Sequence, residues 1–218
     1  MKKRIKEIAM WIICLLPVIF LVIAYPIIPA QIPMQWGIDG TVNWYGPKIN
    51  LIWIAVLPAL VNGLLILLPK IDPKRDNYED FKVPYFYMRL GIITFLFLVN
   101  VMMLNGVSTM EFNVKILLLM VSALFFYLGL IMPYIKQNYF VGFRLPWTLH
   151  DVDTWNQTHK VGAIVLQVTS VIMAVTIILT NNTKCLFIAY SSLLFMAIFG
   201  IVIYSAWYYY NKPVKKKK

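Results

Sequence analysis

The 218-residue sequence has few charged residues and few cysteines for its length. Asp, Glu, Lys and Arg make up 13% of it, against roughly 25% in typical soluble domains. Hydrophobic residues make up 61%, which is more than a water-soluble fold of this size can bury and which also excludes a disordered chain. Two cysteines cannot build a disulfide framework. The composition therefore predicts a polytopic membrane protein, in which lipid is the solvent of most side chains.

Long apolar runs are present instead, and six of them approach the length of about 20 residues that crosses a bilayer. None has a charge near its middle. Arg89 lies at the edge of one run, from which its side chain is expected to reach the interface. We predict an all-α, polytopic integral membrane protein with six transmembrane helices. The predicted spans are Ile8–Tyr25, Leu51–Leu68, Phe86–Leu104, Val114–Tyr134, Val161–Thr180 and Cys185–Trp207.

The basic residues are unevenly distributed between the two sides of these spans. Of the 20 lysines and arginines, 17 fall on one side, and only Lys48, Lys115 and Lys184 fall on the other. Because cytoplasmic segments carry an excess of Lys and Arg, both termini are predicted to be cytoplasmic. The same distribution accounts for the net charge of +11, so no direct nucleic-acid partner is predicted.

Patterns that indicate catalysis are absent from the sequence. It contains no G-x-S-x-G elbow, no cysteine near a histidine and no glycine-rich phosphate loop. His150 and His159 match no zinc signature, and on one helix they would point in opposite directions. We therefore expect no enzymatic activity, no cofactor and no metal. A membrane enzyme that uses His159 with Asp153 is the least favoured alternative.

The predicted outer loop, Pro26–Asn50, contains several prolines and aromatic residues. Prolines exclude a regular helix at its start, and Asp39-Gly40 is a tight-turn signal. The pattern predicts an extended arm, a turn and an aromatic return. Trp36, Trp44 and Tyr45 suit the lipid headgroup level, so this loop either anchors the chain in the membrane or contacts an extracellular ligand.

Two predicted inner loops are longer than a tight turn. Pro69–Tyr85 mixes acidic and basic residues, and is interpreted as a solvated connector. In Ile135–Lys160, Thr148 followed by Asp151 is similar to a capping box, which predicts a short interfacial helix from Leu149 to His159. For Arg144 three roles stay open: pairing with Asp151 or Asp153, binding a lipid phosphate, or contacting a partner.

Two strings in this second loop resemble the hallmark of the SdpI family of bacterial membrane immunity proteins. They run from Asn138 to Leu149 (NYFVGFRLPWTL) and from Trp155 to Gly162 (WNQTHKVG). The outer residues 32–36, Gly40 and 45–48 resemble a small membrane module that often precedes this motif. The resemblance implies an N-terminal module over residues 1–85 and an SdpI-like four-span module over 86–218, with its motif loop at 135–160.

The sequence departs from the family pattern at three positions. Gln35 stands where histidine is expected, and Asn43 stands where aspartate is expected. Leu145 stands where threonine is expected. A catalytic or metal-binding role that depended on the first two residues elsewhere in the family would therefore be lost here.

The resemblance implies a function in the bacterial plasma membrane. It implies protection against a secreted membrane-active toxic peptide that arrives from outside, and, for the best-known member, signalling by sequestration of a cytoplasmic transcriptional repressor. The implied inner binding residues are Asn138, Gly142, Arg144, Pro146, Trp147, Thr148, Trp155, Asn156, Thr158 and His159. The implied outer residues are Pro33, Gln35, Trp36, Gly40, Trp44 and Tyr45.

The main alternative is a small-molecule or lipid transporter, because Pro17 and Pro58 lie inside predicted spans and are able to break helices. One expectation follows from the preferred hypothesis. Arg144→Ala should impair function more than Lys74→Ala, because Lys74 lies in the predicted solvated connector.

Overall fold

Six long helices dominate the computed structural model, which describes residues 2–37, 41–109 and 113–212. These six are long and apolar enough to cross a membrane, which confirms the predicted all-α, six-span class. They are accompanied by two short α-helices, two 3-10 turns (Lys48–Asn50 and Met132–Tyr134) and a two-stranded hairpin. In chain order the elements are α1 (Lys2–Ala24), β1 (Gln31–Trp36), β2 (Val42–Pro47), α2 (Leu51–Ile71), α3 (Asn77–Asp80), α4 (Lys82–Thr109), α5 (Val114–Ile131), α6 (Pro146–His150), α7 (Val152–Leu179) and α8 (Thr183–Asn211).

The two ends of the bundle differ. At one end, Glu7 of α1 contacts Arg89 of α4, and Lys212 after α8 contacts Asp151 before α7. We call this the basic end, since it carries most of the lysines and arginines. The hairpin of β1 and β2 lies between α1 and α2 at the opposite end, which we call the hairpin end. That the basic end faces the cytoplasm remains a prediction.

Two prolines expected to break helices do not do so. Helix α1 continues through Pro17, and α2 continues through Pro58. That expectation is therefore wrong. In a membrane bundle, neighbouring helices and small backbone adjustments compensate for the hydrogen bond that a proline removes. The structural argument for a transporter is removed with it.

The predicted interfacial helix Leu149–His159 is also wrong. The chain forms the one-turn helix α6, leaves helical geometry at Asp151 and then enters α7, which continues directly into the fifth span. The break occurs because the Asp151 carboxylate accepts hydrogen bonds from the backbone N–H and the hydroxyl of Thr154, both at 2.6 Å. Asp151 is thus the N-cap of α7 rather than an interior residue.

Packing is divided among three buried clusters. At the basic end, Phe81 and Trp155 are fully buried with Ile135. Another cluster joins Leu21, Ile32 and other residues beneath the hairpin, and a third joins α7 to α8. Most other large apolar side chains, such as Ile178 at 72% exposure, point outward, as expected where lipid is the solvent.

Candidate functional site

The predicted motif loop ends at Asp151, because residues 152–160 belong to α7. This shorter motif loop (residues 135–151) is organised around the buried side chain of Asn138. Its Oδ1 accepts hydrogen bonds from the backbone N–H groups of Phe140 and Val141, at 2.9 and 2.7 Å. Its Nδ2 donates to the carbonyl oxygens of Lys136 and Val141. An asparagine side chain thus replaces the backbone partners that a regular element would supply.

Thr148 and Gln137 fix the second half of the motif loop. The Thr148 hydroxyl donates to the carbonyl oxygen of Phe143 at 2.6 Å and accepts from the backbone N–H of Leu145 at 2.8 Å. Gln137 Nε2 donates to the carbonyl oxygens of Thr148 and Leu149. Thr148 is completely buried, so its hydroxyl serves the fold of the loop rather than a ligand.

His159, on the first turns of α7, is held from both ring nitrogens. Nε2 accepts a hydrogen bond from the backbone N–H of Phe143 at 3.2 Å, which leaves Nδ1 to donate to the carbonyl oxygen of Trp155 at 2.8 Å. This pair of bonds requires the neutral ring with its proton on Nδ1. The ring also stacks on Trp155, with centroids 4.1 Å apart. A buried ring with both nitrogens occupied has no free position for a metal or a proton transfer.

Two glycines allow the motif loop to approach α7. Gly142 has a φ of +105°, and a Cβ there would lie 2.1 Å from His159 Nε2. At Gly162 a Cβ would lie 2.4 Å from the ring of Phe143. Any larger residue at position 142 is strained by its backbone conformation and by contact with the imidazole.

The loop between α2 and α4 packs against the motif loop, so its interpretation as a solvated connector is wrong. The Tyr78 hydroxyl lies 3.0 Å from Asp72 Oδ2 and 3.2 Å from Asn138 Oδ1. Asp72 Oδ2 also accepts from the backbone N–H of Tyr139 at 2.9 Å. Burial and the neighbouring Asp72 carboxylate raise the pKa of Tyr78. Asp72 forms these contacts because Phe81 and Tyr78 bury part of the loop against the bundle, whereas Arg75, Asp76 and Glu79 stay exposed.

Lys74, expected to lie in solvent, contacts the motif loop as well. Its ammonium group donates to Gln137 Oε1 and to the carbonyl oxygen of Leu149. The Asn77 side chain donates to the carbonyl oxygen of Gln137 at 2.6 Å. Lys74→Ala is therefore not a neutral reference for Arg144→Ala.

The motif loop is joined to α8 by two further contacts. Trp147 Nε1 donates to the hydroxyl of Ser205 at 2.8 Å, and Asp151 forms an ion pair with Lys212. Burial by itself would raise the pKa of Asp151, but hydrogen bonds from Lys212 and Thr154 outweigh it and lower the pKa to about 2. The start of α7 and the end of α8 are thereby held together by charge.

Only a few residues of the predicted inner site are exposed to a ligand or partner. Arg144 and Pro146 are exposed, and Arg144 Nη1 donates to the carbonyl oxygen of Tyr139 at 2.8 Å. Of the roles left open for Arg144, pairing with Asp151 is not the one seen here, since Asp151 pairs with Lys212. Gly142, Trp147 and Asn156 are half-buried. The remaining predicted residues, Asn138, Thr148, Trp155, Thr158 and His159, are buried.

The predicted outer residues lie on the antiparallel hairpin of β1 and β2 at the hairpin end. The predicted arm and return are therefore strands, and the register places Gln35 opposite Trp44 and Pro33 opposite Tyr45. Pro33 is buried, Trp36 is half-buried, and Gln35 is exposed. Trp44 and Tyr45 are 54% and 50% exposed. Gly40 and the predicted turn at Asp39-Gly40 fall outside the described residues.

The predicted inner and outer site residues thus occupy opposite ends of one bundle. Part of the chain is also similar to a known family. Residues 134–207 match the SdpI/YfhL protein family, and residues 12–61 match a domain of unknown function, DUF1648. The resemblance found in the motif strings is therefore confirmed.

The similarity extends beyond the SdpI/YfhL region. The chain is 26% identical over 213 residues to the immunity protein SdpI of Bacillus subtilis strain 168, covering 97% of this chain and 98% of that protein. No solved structure matches it. Together with the six spans, this similarity identifies a multi-pass protein of the bacterial plasma membrane. The division into modules at residues 85 and 86 remains a prediction.

Sequence reasoning missed the contacts of two residues outside the SdpI/YfhL motif, Arg89 and Lys48. Arg89 does not reach the interface as a free cation. It is 6% exposed and forms paired hydrogen bonds with the Glu7 carboxylate, at 3.2 and 3.0 Å. It also donates to Asn62 Oδ1 at 2.8 Å. The sequence places Glu7 near the start of α1, Arg89 near the start of α4 and Asn62 in the second half of α2. Only the packing of these helices shows that the three side chains meet.

The other missed residue is Lys48, which follows β2. Its ammonium group donates to the carbonyl oxygens of Tyr25 and Ile28, at 2.9 and 3.0 Å, and lies 4.4 Å from the centre of the Tyr25 ring. Lys48 thereby joins the end of the hairpin to the end of α1. In the described part of the chain, no three His, Cys, Asp or Glu side chains are close enough together to hold a metal.

Proposed function

We propose that this chain is a membrane immunity protein that protects the cell against a secreted, membrane-active toxic peptide. The observation that carries the proposal is its similarity to the immunity protein SdpI over nearly the full length of both chains. Six spans and an SdpI/YfhL region with its motif residues in place support the same role. The proposed role is one of binding, with no catalytic step.

The hairpin is the proposed contact for the toxic peptide. Trp44, Tyr45 and Gln35 are exposed there, and Trp44 lies opposite Gln35 across the two strands. Aromatic side chains give a large contact area to an apolar peptide and are stable at the membrane interface. If the basic end is cytoplasmic, the hairpin is the first part of the bundle that a peptide from outside meets.

A cytoplasmic repressor is the proposed partner at the basic end. Asn138, Thr148 and His159 are buried in the fold, so a partner protein would have to use the exposed residues Arg144 and Pro146. We expect Arg144→Ala to reduce membrane recruitment of the repressor and to leave resistance unchanged. Fluorescence imaging of a tagged candidate repressor measures recruitment, with Lys160→Ala as the control variant at another exposed cation.

The immunity proposal is tested by expressing the full chain in a toxin-sensitive bacterium and measuring survival against the membrane-active peptide. Survival should rise with the amount of chain in the membrane, because each bound peptide is removed from the pool that damages the bilayer. Unchanged killing, with the chain present in the membrane fraction at high level, would contradict the proposal.

A further inference from the structure

A groove of about 670 Å³ opens at the basic end, between the start of α1, the end of α2 and the start of α4. Its lining residues belong to α1, α2, α3 and α4, and none of them lies in the motif loop or the hairpin. Its walls are mainly apolar, formed by Leu65, Ile66, Pro69, Val83 and Phe86. A groove of this volume is within the usual range for an organic ligand with an apolar part.

Two exposed lysines stand at the groove. Lys6 Nζ lies 5.5 Å from the centre of the Phe86 ring, and within the described residues it has no acidic partner. Lys82 Nζ lies 3.1 Å from Glu79, but both side chains are mostly exposed. Such a surface pair contributes little free energy, so Lys82 can exchange Glu79 for another anion. Both lysines lie in the first turns of helices long enough to span a membrane, where the lipid headgroups are expected.

Arg89 also lines the groove, from a buried position. Its partner Glu7 lines the groove as well, and their paired hydrogen bonds balance the two charges, so the excess positive charge comes from Lys6 and Lys82. Arg89 Nε and Asn62 Nδ2 are buried without hydrogen-bond partners in the described part of the protein. Of these two residues only Arg89 lines the groove, so the wall offers one donor without a partner beside the two lysine ammonium groups, which favours an anionic ligand.

We propose that this groove binds an anionic glycerophospholipid, with its phosphate between Lys6 and Lys82 and one acyl chain along the apolar wall. A positively charged recess between spanning helices at headgroup depth complements a lipid phosphate, and the apolar wall complements the acyl chain. The bound lipid would join α1, α2 and α4 at the basic end. This site is independent of the immunity proposal, since it requires neither the hairpin nor the exposed motif residues.

The test uses the full chain in nanodiscs of phosphatidylcholine and phosphatidylglycerol with identical acyl chains, and native mass spectrometry counts the lipids retained after release. We expect the protein to retain phosphatidylglycerol about tenfold over phosphatidylcholine. The double variant K6Q/K82Q should lose most of this preference. K136Q/K160Q removes two exposed charges from the same end outside the groove and should keep it.

Two further measurements distinguish a lipid seated in the groove from a free phosphate ion held by the lysines. Val83→Glu places a negative charge at an exposed groove position and should expel phosphatidylglycerol without unfolding the chain, as checked by circular dichroism and gel filtration. Excess inorganic phosphate should not displace the lipid, because it cannot replace the acyl contacts. Equal retention of the two lipids, equal losses in both double variants, or displacement by phosphate would each overturn the proposal.

Discussion

The hairpin and the motif loop use their side chains in opposite ways. In the hairpin, backbone pairing between β1 and β2 determines the geometry, and Trp44 and Tyr45 remain largely exposed. In the motif loop, Asn138 and Thr148 are fully buried and supply the hydrogen bonds that the irregular backbone lacks. A substitution in the hairpin should therefore change what the protein contacts, whereas one at Asn138 or Thr148 of the motif loop should change whether it folds.

The largest effect is expected at Gly142. Gly142→Ala introduces a Cβ against His159 at a positive φ, and this should lower the free energy of unfolding by about 3 kcal/mol or more. Titration of the purified protein with denaturing detergent measures the change. Gly63→Ala is the control, since a Cβ there meets no atom within 4 Å. Equal effects of the two substitutions would mean that the motif loop is not held against α7.

Asn138→Ala should give the next largest effect. It leaves the backbone N–H groups of Phe140 and Val141 without their acceptor, at a cost of about 2–3 kcal/mol. The same detergent titration measures the loss. Asn156→Ala is a matched control, because Asn156 is half-buried on α7 and is not part of this network. If Asn138→Ala preserves stability but abolishes function, the residue belongs to a binding surface instead.

The ion pair between Asp151 and Lys212 gives a pH-dependent prediction. The pKa of Asp151 is lowered from 3.8 to about 2, so its contribution is present above about pH 4 and is lost as the pH falls toward about 2. Asp151→Asn keeps an N-cap side chain and should cost about 1–2 kcal/mol at pH 7.

Unfolding measured from pH 7 to pH 2 checks this prediction. The difference between the native chain and Asp151→Asn should shrink over the acidic part of the range. Asp76→Asn alters a fully exposed carboxylate and should show no such convergence. A difference that stays constant down to pH 2 would exclude the ion pair as its cause.

The smallest stability effect is expected in the hairpin, where Trp44→Ala should change the free energy of unfolding by less than about 0.5 kcal/mol. Its effect on survival against the toxic peptide should be large if the hairpin makes the contact. Trp53→Ala removes a tryptophan that is 70% exposed on α2, outside the hairpin. Equal survival of the two variants would place the peptide contact elsewhere.

Sequence reasoning predicted the spans because each depends on a run of apolar residues, which lipid requires wherever the helix lies in the bundle. It failed where several segments interact. The loop around Tyr78 looks polar and solvated in isolation. The Tyr78 side chain is nevertheless buried, and its hydroxyl contacts Asn138, 60 residues later in the chain. The resemblance found the motif residues, but it did not distinguish the exposed Arg144 from the buried His159.

The amino-acid sequence by itself determined six membrane-spanning helices, since burial in lipid depends on the local run of side chains and hardly on their neighbours. Tertiary structure alone decided that Arg89 pairs with Glu7, that Asp151 ends one helix and begins the next, and that His159 supports the motif loop. These contacts join residues far apart in the chain, and their free energy depends on geometry that exists only after the helices have packed.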